Sequence, residues 1–189
     1  MHRRYLLDLL YGYAQSYPEE QECARRFTQF VEDHPDCFLR TCIPGHVTAS
    51  AWIVSREYDR FLLTHHKKLG RWLQLGGHVD GEPEVYRAAM REAQEESGMW
   101  EIDFHTPDDR LRPLDIDVHE IPAYGDEPAH LHYDVRFLLV AAPGQRPRRS
   151  DESHDLKWFQ VRELEQTVRE ESVLRMGSKA RELLGEPIV

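Results

Sequence analysis

Apolar and polar positions alternate along this chain with two different periods. Two N-terminal segments, Leu6–Tyr17 and Glu19–Glu32, repeat apolar residues every three or four positions, which is typical of amphipathic helices. After residue 45, runs of β-branched and aromatic residues alternate with a period of two and predict strands. The predicted strands are 46–55, 60–65, 72–75, 102–104, 114–121, 130–141 and 155–159, and further helices are predicted at 84–97, 161–168 and 173–184. Interleaved strands and helices indicate an α/β fold, an α/β/α sandwich around a mixed β-sheet.

The helix predicted at 84–97 has an unusual distribution of charge. Its ends are well defined, because Pro83 suits a first helical turn and Gly98 suits the position after the last one. When the residues are placed at about 100° per step, Glu92 and Glu96 fall among the apolar positions, and Glu95 lies at the border of that sector. The helix therefore presents acids where an ordinary amphipathic helix presents apolar side chains.

These three glutamates are spaced to act together. They stand at i, i+3 and i+4, so they are neighbours on one helical surface, and their like charges repel. A buried carboxylate is costly unless it is paired, and a divalent cation would remove both penalties. Ligands that are all oxygen favour Mg²⁺, Mn²⁺ or Ca²⁺ over zinc. The competing interpretation is a solvated acidic helix in which Arg91 and Glu95 form an i,i+4 ion pair.

The segment GGHVDGEPEVYRAAMREAQEESGM, residues 76–99, resembles the signature box of the Nudix hydrolases. The match runs from Gly77 to Met99 and departs from the family pattern at one fixed position, where Pro83 replaces a glutamate; Glu82, one residue earlier, is a candidate substitute. The resemblance implies a Nudix fold carrying an N-terminal helical extension. We therefore expect an extension at residues 1–40, packed on a Nudix hydrolase domain at residues 41–189.

The resemblance also implies a metal site. It assigns Mg²⁺, with Mn²⁺ as a substitute, to the carboxylates of Glu92, Glu95 and Glu96 and to the backbone carbonyl of Gly76. Bound Mg²⁺ would neutralise phosphate charge and lower the pKa of a coordinated water.

Catalytic roles are less completely assigned. The resemblance gives Arg91 the role of orienting a catalytic glutamate, and it makes Glu95 and Glu96 the candidate catalytic acids. Other members of the family carry the general base on a later loop, so several acids stay open for that role. They are Glu95, Glu96, Glu120, Glu127 and Asp134.

Several residues outside the acidic helix are weaker candidates for substrate binding. They are Arg71, His78, His132 and Arg136. His130 and His132 share one strand face with Asp134. A second metal or a phosphate contact is one reading of that pair, and the favoured reading is that strand histidines face solvent.

The composition of the chain limits the kinds of molecule that it is expected to bind. The 24 Lys and Arg residues against 34 Asp and Glu give a formal net charge of −10, which argues against general nucleic-acid binding and leaves a small phosphorylated substrate. The sequence has neither an apolar run long enough to cross a membrane nor a convincing secretory signal, so we expect a cytoplasmic protein. A homodimer contact through the N-terminal arm is one alternative left open.

The three cysteines do not form an even disulfide framework, and reduced thiols fit best. A structural zinc held by His34, Cys37, Cys42 and His46 is a rival interpretation, although the spacing is not that of a standard zinc finger. Two buried thiols and two unrelated histidines are the favoured reading.

The leading functional hypothesis is a Mg²⁺-dependent hydrolase that cleaves a diphosphate linkage in a nucleoside diphosphate derivative or a nucleotide. Two alternatives share the fold: a diphosphate-binding isomerase of the isopentenyl diphosphate type, and a non-catalytic sensor of nucleotide ligands. The intact acids of the box and the absence of a basic winged-helix segment argue against the sensor. The sequence does not choose the substrate.

Overall fold

The computed structural model describes residues 2–125, 127–151 and 153–185. Five α-helices and one 3₁₀ turn accompany eight strands within these residues. The helices are α1 (Arg4–Ser16), α2 (Gln21–Asp33), α3 (Val85–Ser97), α4 (Val161–Thr167) and α5 (Glu171–Leu184), and the 3₁₀ turn is Pro18–Glu20. The strands are β1 (Gly45–Val54), β2 (Arg60–His66), β3 (Arg71–Leu73), β4 (Leu75–His78), β5 (Ile102–Phe104), β6 (Asp115–Ile121), β7 (His130–Ala141) and β8 (Ser153–Gln160).

The eight strands form one mixed sheet. Its main path runs β3-β2-β1-β7-β5, while β4 pairs with β1, β6 with β7 and β8 with β2. The central β1–β7 pair is parallel, and it aligns His46 with His132, Thr48 with Asp134 and Ser50 with Arg136. The other strand pairs are antiparallel, so the predicted mixed sheet is confirmed.

Helices cover both faces of the sheet. Alternate residues of β1 divide between two hydrophobic clusters, as the two-residue period of a strand requires. Ala49 and Ala51 belong to the cluster shared with α1, α2 and α3, whereas Trp52 and Val54 belong to the cluster shared with α4 and α5. This arrangement is the predicted α/β/α sandwich, with helices α1 and α2 preceding the sheet.

Most element boundaries lie within a few residues of the predictions, and one segment differs. The predicted strand 72–75 is two strands, β3 and β4, and β4 includes Gly76 and Gly77. The two glycines therefore lie in a strand paired with β1, and the turn that leads to α3 follows at residues 80–81. No helix of the described residues is long and apolar enough to cross a membrane.

Candidate active site

Helix α3 buries its acids as the helical wheel predicts. Glu96 is 9% exposed and the Glu92 side chain is 14% exposed, whereas the Glu95 side chain is 57% exposed. The helix ends at Gly98, whose φ of 65° lies in the left-handed region that glycine adopts at low cost. Two of the acids are thus held against the protein interior, and the third stands at the rim.

The strand that precedes the turn makes room for one of these acids. A Cβ atom added to Gly77 would lie 2.8 Å from the Glu92 carboxyl carbon and from its Oε2. A side chain at position 77 would therefore collide with the carboxylate. Glycine allows the backbone of β4 and the carboxylate of α3 to approach closely. Gly76, the candidate carbonyl ligand, precedes Gly77 and pairs with Ser50 on β1.

Arg91 connects the box helix to β4. One guanidinium nitrogen donates to Glu92 Oε1 at 2.7 Å and to Glu95 Oε2 at 3.3 Å, and the other donates to the His78 carbonyl oxygen at 2.8 Å. The planar guanidinium can hold these three acceptors at once, which a lysine ammonium would do less well. Arg91 therefore positions two of the three glutamates relative to the strand that carries Gly76 and Gly77.

The position where the box departs from the family pattern lies just before α3. Pro83 lacks a backbone donor, and Glu82 Oε1 accepts a hydrogen bond from the Glu84 backbone N–H at 2.9 Å. A carboxylate near a helix N-terminus is also favoured by the helix dipole. In this structure Glu82 therefore satisfies a backbone donor at the start of the helix.

The candidate substrate residue Arg136 is placed differently from the sequence expectation. Its side chain is 2% exposed and its guanidinium forms ion pairs with Asp115, Asp117 and Asp134 at 2.7–3.0 Å. Burial disfavours its charge, but the three carboxylates more than compensate and hold its pKa above the ordinary value. A guanidinium enclosed by three acids has a structural role and is not presented to a substrate.

Asp134, one of the candidate general bases, belongs to the same network. Its carboxylate accepts hydrogen bonds from Thr48, Ser50, Gln74 and Arg136. These donors stabilise the charged, buried carboxylate and occupy the oxygens that a general base would offer to water. The geometry therefore argues against Asp134 as the base.

The sequence did not predict that this network extends to the last helix. From α5, Arg175 and Lys179 contact Asp115, and Lys179 Nζ lies 2.5 Å from the Tyr13 hydroxyl. Burial raises the pKa of Asp117, but the hydrogen bond to His119 and the charges of Arg136 and Arg175 lower it by more. The pKa of Asp117 therefore lies below its ordinary value. The sequence signal for this network was the set of acids on two predicted strands, Asp115 and Asp117 on β6 and Asp134 on β7. Their partners on α5 lie too far along the chain to be identified from the sequence.

The candidate Arg71 lies away from the acids of the box. It belongs to β3, at the end of the main strand path, and its side chain is 64% exposed. Its guanidinium forms an ion pair with Glu170 at 3.5 Å, next to the start of α5. The structure does not bring Arg71 together with the glutamates of α3.

Histidines on four strands meet beside β4. The ring centroid of His78 lies 4.9 Å from that of His46 and 5.2 Å from that of His132. The rings of His130 and His119 each lie next to His132 and complete the group. Candidates His78 and His132 are therefore close together, and His78 also carries the carbonyl that Arg91 binds.

The expectation that His130 faces solvent is wrong. His130 is 6% exposed and His46 is 2% exposed, and the two rings pack against each other and against those of His132 and His78. Burial lowers the pKa of His46 to about 4 and that of His132 to about 2, with repulsion from neighbouring imidazoles adding to each shift. The imidazoles of His46 and His132 are therefore neutral at physiological pH.

The alternative zinc set does not form. Among the described residues, His46 groups with His130 and His132 as potential metal ligands, and not with His34, Cys37 or Cys42. His34 Nδ1 lies 2.9 Å from the Phe30 carbonyl oxygen, and the Cys42 thiol donates to Asp36. All three cysteines are free.

Comparison with known proteins identifies the class of protein to which this arrangement belongs. The family model described as NUDIX domain matches residues 44–176, which is more than half of the chain. A comparison with curated proteins gave no significant match.

Solved structures show the same fold. A hydrolase of the NUDIX family from Clostridium perfringens matches with a TM-score of 0.59 and 26% identity, covering 74% of this chain and 97% of the other. An Ap4A hydrolase from C. elegans matches with a TM-score of 0.59, 18% identity and the same two coverages. The dihydroneopterin triphosphate pyrophosphohydrolase of E. coli matches with a TM-score of 0.54 and 16% identity, covering 70% and 92%.

The chain belongs to the Nudix hydrolase family and is a Nudix-type pyrophosphohydrolase. The expected resemblance and the expected Nudix fold are thereby confirmed.

Proposed function

We propose that this protein is a Mg²⁺-dependent hydrolase that cleaves the diphosphate linkage of a nucleoside diphosphate derivative or of a nucleotide. The observation that carries the proposal is the packing of Glu92 against Gly77, with Glu96 buried beside it and Arg91 joining the helix to β4. This arrangement collects carboxylate oxygens where β4 leaves no room for a side chain at Gly77.

The donor set suits a hard divalent cation. Glu92, Glu95, Glu96 and the Gly76 carbonyl would supply only oxygen atoms, which Mg²⁺ and Mn²⁺ prefer. When bound, the ion would neutralise phosphate charge and acidify a water molecule. Glu92 and Glu96 are largely buried and lie one helical turn apart on one face of α3, so an ion between them would offset the repulsion of like charges.

The residues of the chain then have separate tasks. Arg91 holds Glu92 and Glu95 by hydrogen bonds and fixes β4 against the helix. We assign to Glu95, the most exposed acid of the three, the role of accepting a proton from water at the rim, with Glu96 as the alternative acceptor. His78 lies on β4 and His132 lies next to it, and these two residues are the remaining candidates to contact substrate phosphates.

The thiols do not favour an isomerase. That reaction would need a cysteine and a glutamate that act on opposite sides of the substrate. Cys37 and Cys42 are 0% and 1% exposed, and burial raises the pKa of each thiol to about 12. Thiols that are buried and strongly protonated are poor proton-transfer groups at neutral pH.

The surrounding properties fit a small phosphorylated substrate. A net charge of −10 favours such a ligand over nucleic acid. We further propose that α1 and α2 form an extension at residues 1–40 next to a catalytic domain at 41–189, and that the protein works in the cytoplasm. A homodimer contact through that extension stays a prediction.

The test is turnover with Mg²⁺ across nucleotide sugars, dinucleoside polyphosphates, CDP-alcohols, ADP-ribose and nucleoside triphosphates. We expect at least one of these diphosphates to be hydrolysed, and Glu95→Gln and Glu96→Gln to lower kcat by about 100-fold or more while the fold survives. Glu101→Gln is the matched control, because Glu101 is exposed and follows the helix.

Two further readouts separate the alternatives. Reaction in ¹⁸O-labelled water should place solvent oxygen in a phosphate product, which an isomerase would not do. Ligand-induced thermal stabilisation without turnover of any compound would instead support a sensor. Undiminished turnover in both glutamine variants would overturn the assignment of these acids.

A further inference from the structure

We propose that His46, His130 and His132 form a second metal site, distinct from the glutamates of α3, which takes a borderline divalent transition metal such as Zn²⁺ or Co²⁺. One ring nitrogen from each of the three residues can be chosen so that all three atoms lie within 4.8 Å of one another. Three imidazoles are a ligand set that suits these metals and does not suit Mg²⁺.

The sheet brings these rings together. His46 on β1 lies directly opposite His132 on the parallel strand β7, and His130 lies two residues earlier on β7, on the same face. The ring centroids of His46 are 4.9 Å from those of both His130 and His132. The backbone of two paired strands therefore fixes all three attachment points, which makes the geometry rigid before any ion binds.

The closest pair of nitrogens has the spacing of two ligands of one ion. His130 Nε2 and His132 Nε2 are 3.3 Å apart. Two nitrogens bound to a tetrahedral zinc at 2.0–2.1 Å are separated by about 3.3–3.4 Å. The third imidazole, His46, has a ring nitrogen within 4.8 Å of a ring nitrogen of each of the other two.

The outer hydrogen bonds have the pattern found around metal-ligating histidines. His130 Nδ1 lies 2.9 Å from the Pro128 carbonyl oxygen, to which it can donate its proton. This bond sets the tautomer that leaves a lone pair on Nε2, directed at His132. A carbonyl or carboxylate that fixes the far nitrogen is the usual support of an imidazole ligand.

His46 supplies an independent indication. It is 2% exposed, and neither of its ring nitrogens has a hydrogen-bond partner among the residues that the structure describes. A buried imidazole with two unsatisfied nitrogens is costly, and a metal ion coordinated by one of them would remove part of that cost. The histidine is thus better explained as a ligand than as a core residue.

Three protein ligands leave one position of a tetrahedral site for water or for a ligand oxygen. His78 lies next to the three histidines, with its ring centroid 4.9 Å from that of His46, and its carbonyl is bound by Arg91. An ion in the histidine site would therefore lie beside the strand that carries the box glycines.

The experiment is a titration of chelator-treated, full-length protein with Co²⁺ as the only transition metal, in a large excess of Mg²⁺, followed by the visible absorption of Co²⁺. We expect one Co²⁺ per chain with the absorption of a nitrogen-coordinated ion of low coordination number. His46→Gln and His130→Gln should weaken binding at least about tenfold, the effect that even loss of a supporting residue produces at such sites. Circular dichroism would confirm that both variants are folded.

Two matched controls separate this site from the box and from surface histidines. His154→Gln removes an exposed histidine on β8 and should leave Co²⁺ binding unchanged. Glu95→Gln should also leave it unchanged, even if all hydrolytic activity is lost, so this proposal and the proposed function fail separately. Displacement of Co²⁺ by Mg²⁺, or binding that is lost in Glu95→Gln, would overturn the histidine site.

A measurement on the wild-type chain covers the case in which the variants do not fold. Crystals soaked in Zn²⁺ should show an anomalous peak about 2.0–2.1 Å from a nitrogen of each of the three rings. Density for an ion at the glutamates alone, with the three imidazoles unliganded, would refute the proposal.

Discussion

Substitution of Gly77 by alanine tests how tightly the site depends on the contact between β4 and α3. The added Cβ would lie 2.8 Å from the carboxyl carbon of Glu92, whereas ordinary van der Waals contact begins at 3.4 Å. The carboxylate must therefore retreat by roughly 0.6 Å, because the strand is held in place by its pairing with β1. That movement also strains the 2.7 Å bond from Arg91.

The expected loss follows from this displacement. Catalytic groups must be held within about 0.5 Å of their productive positions, and a misplacement of about 1 Å costs about 100-fold in rate. We therefore predict that Gly77→Ala lowers kcat/KM with Mg²⁺ by roughly 10- to 100-fold. The free energy of unfolding should change by less than about 1 kcal/mol, because the atoms that must move are the end of a flexible side chain.

The assay combines steady-state kinetics on the substrate found by screening, Mn²⁺ affinity and urea denaturation. Gly12→Ala is the matched control: Gly12 lies in α1, no atom of the described residues outside that helix's own backbone lies within 4 Å of its added Cβ, and the change should leave activity intact. It should also raise stability by up to about 1 kcal/mol, since alanine is the better helix former. If Gly77→Ala keeps wild-type kinetics and wild-type Mn²⁺ affinity, the site does not depend on the close contact between Gly77 and Glu92.

Three further predictions concern the charged residues. Arg91→Lys should lower kcat about tenfold or more with little change in melting temperature, because an ammonium cannot reproduce the two-sided hydrogen bonding; an unchanged kcat would remove Arg91 from the site. Arg136→Met should lower the free energy of unfolding in urea by about 3–5 kcal/mol by leaving buried carboxylates unpaired, whereas Arg60→Met, at a half-exposed arginine, should cost less than about 1 kcal/mol; equal effects would contradict the structural role of Arg136. The folded-state pKa of Asp117 is depressed below its ordinary value of 3.8. The ionised carboxylate therefore stabilises the folded protein above pH 3.8, and this stabilisation is lost as the pH falls through the folded-state pKa. Asp117→Asn should therefore show a shallower loss of stability at acidic pH than the wild type, and parallel acid-denaturation curves would count against the network.

The sequence predicted the box helix well because its information is local. A 3.6-residue period determines which side chains share a face, so the burial of Glu92 and Glu96 and the exposure of Glu95 could be placed from the wheel. The glycine that ends the helix is also a local signal. The same reasoning did not place Gly77 in a strand, because a four-residue strand carries too little periodicity to be distinguished from a turn.

The histidine group and the Arg136 network depend on pairings that no local pattern contains. His46 meets His132 because β1 and β7 are parallel neighbours, and a shift of one residue in that register would turn the rings to opposite faces. The alternation in β7 correctly separated two faces but could not show that β6 places Asp115 and Asp117 against Arg136. These acids and Asp134 enclose the guanidinium, which is why Arg136 is unavailable to a substrate.

The most direct test of the central claim is the binding of Mn²⁺ measured by electron paramagnetic resonance, in the wild type and in Glu92→Gln, Glu95→Gln and Glu96→Gln, with Glu101→Gln as control. We expect that wild type and control bind Mn²⁺ with the same affinity, that Mg²⁺ competes with Mn²⁺ for the site, and that each box variant weakens Mn²⁺ binding together with turnover. Mn²⁺ affinity that is the same in all five proteins would show that the three glutamates do not hold the catalytic metal.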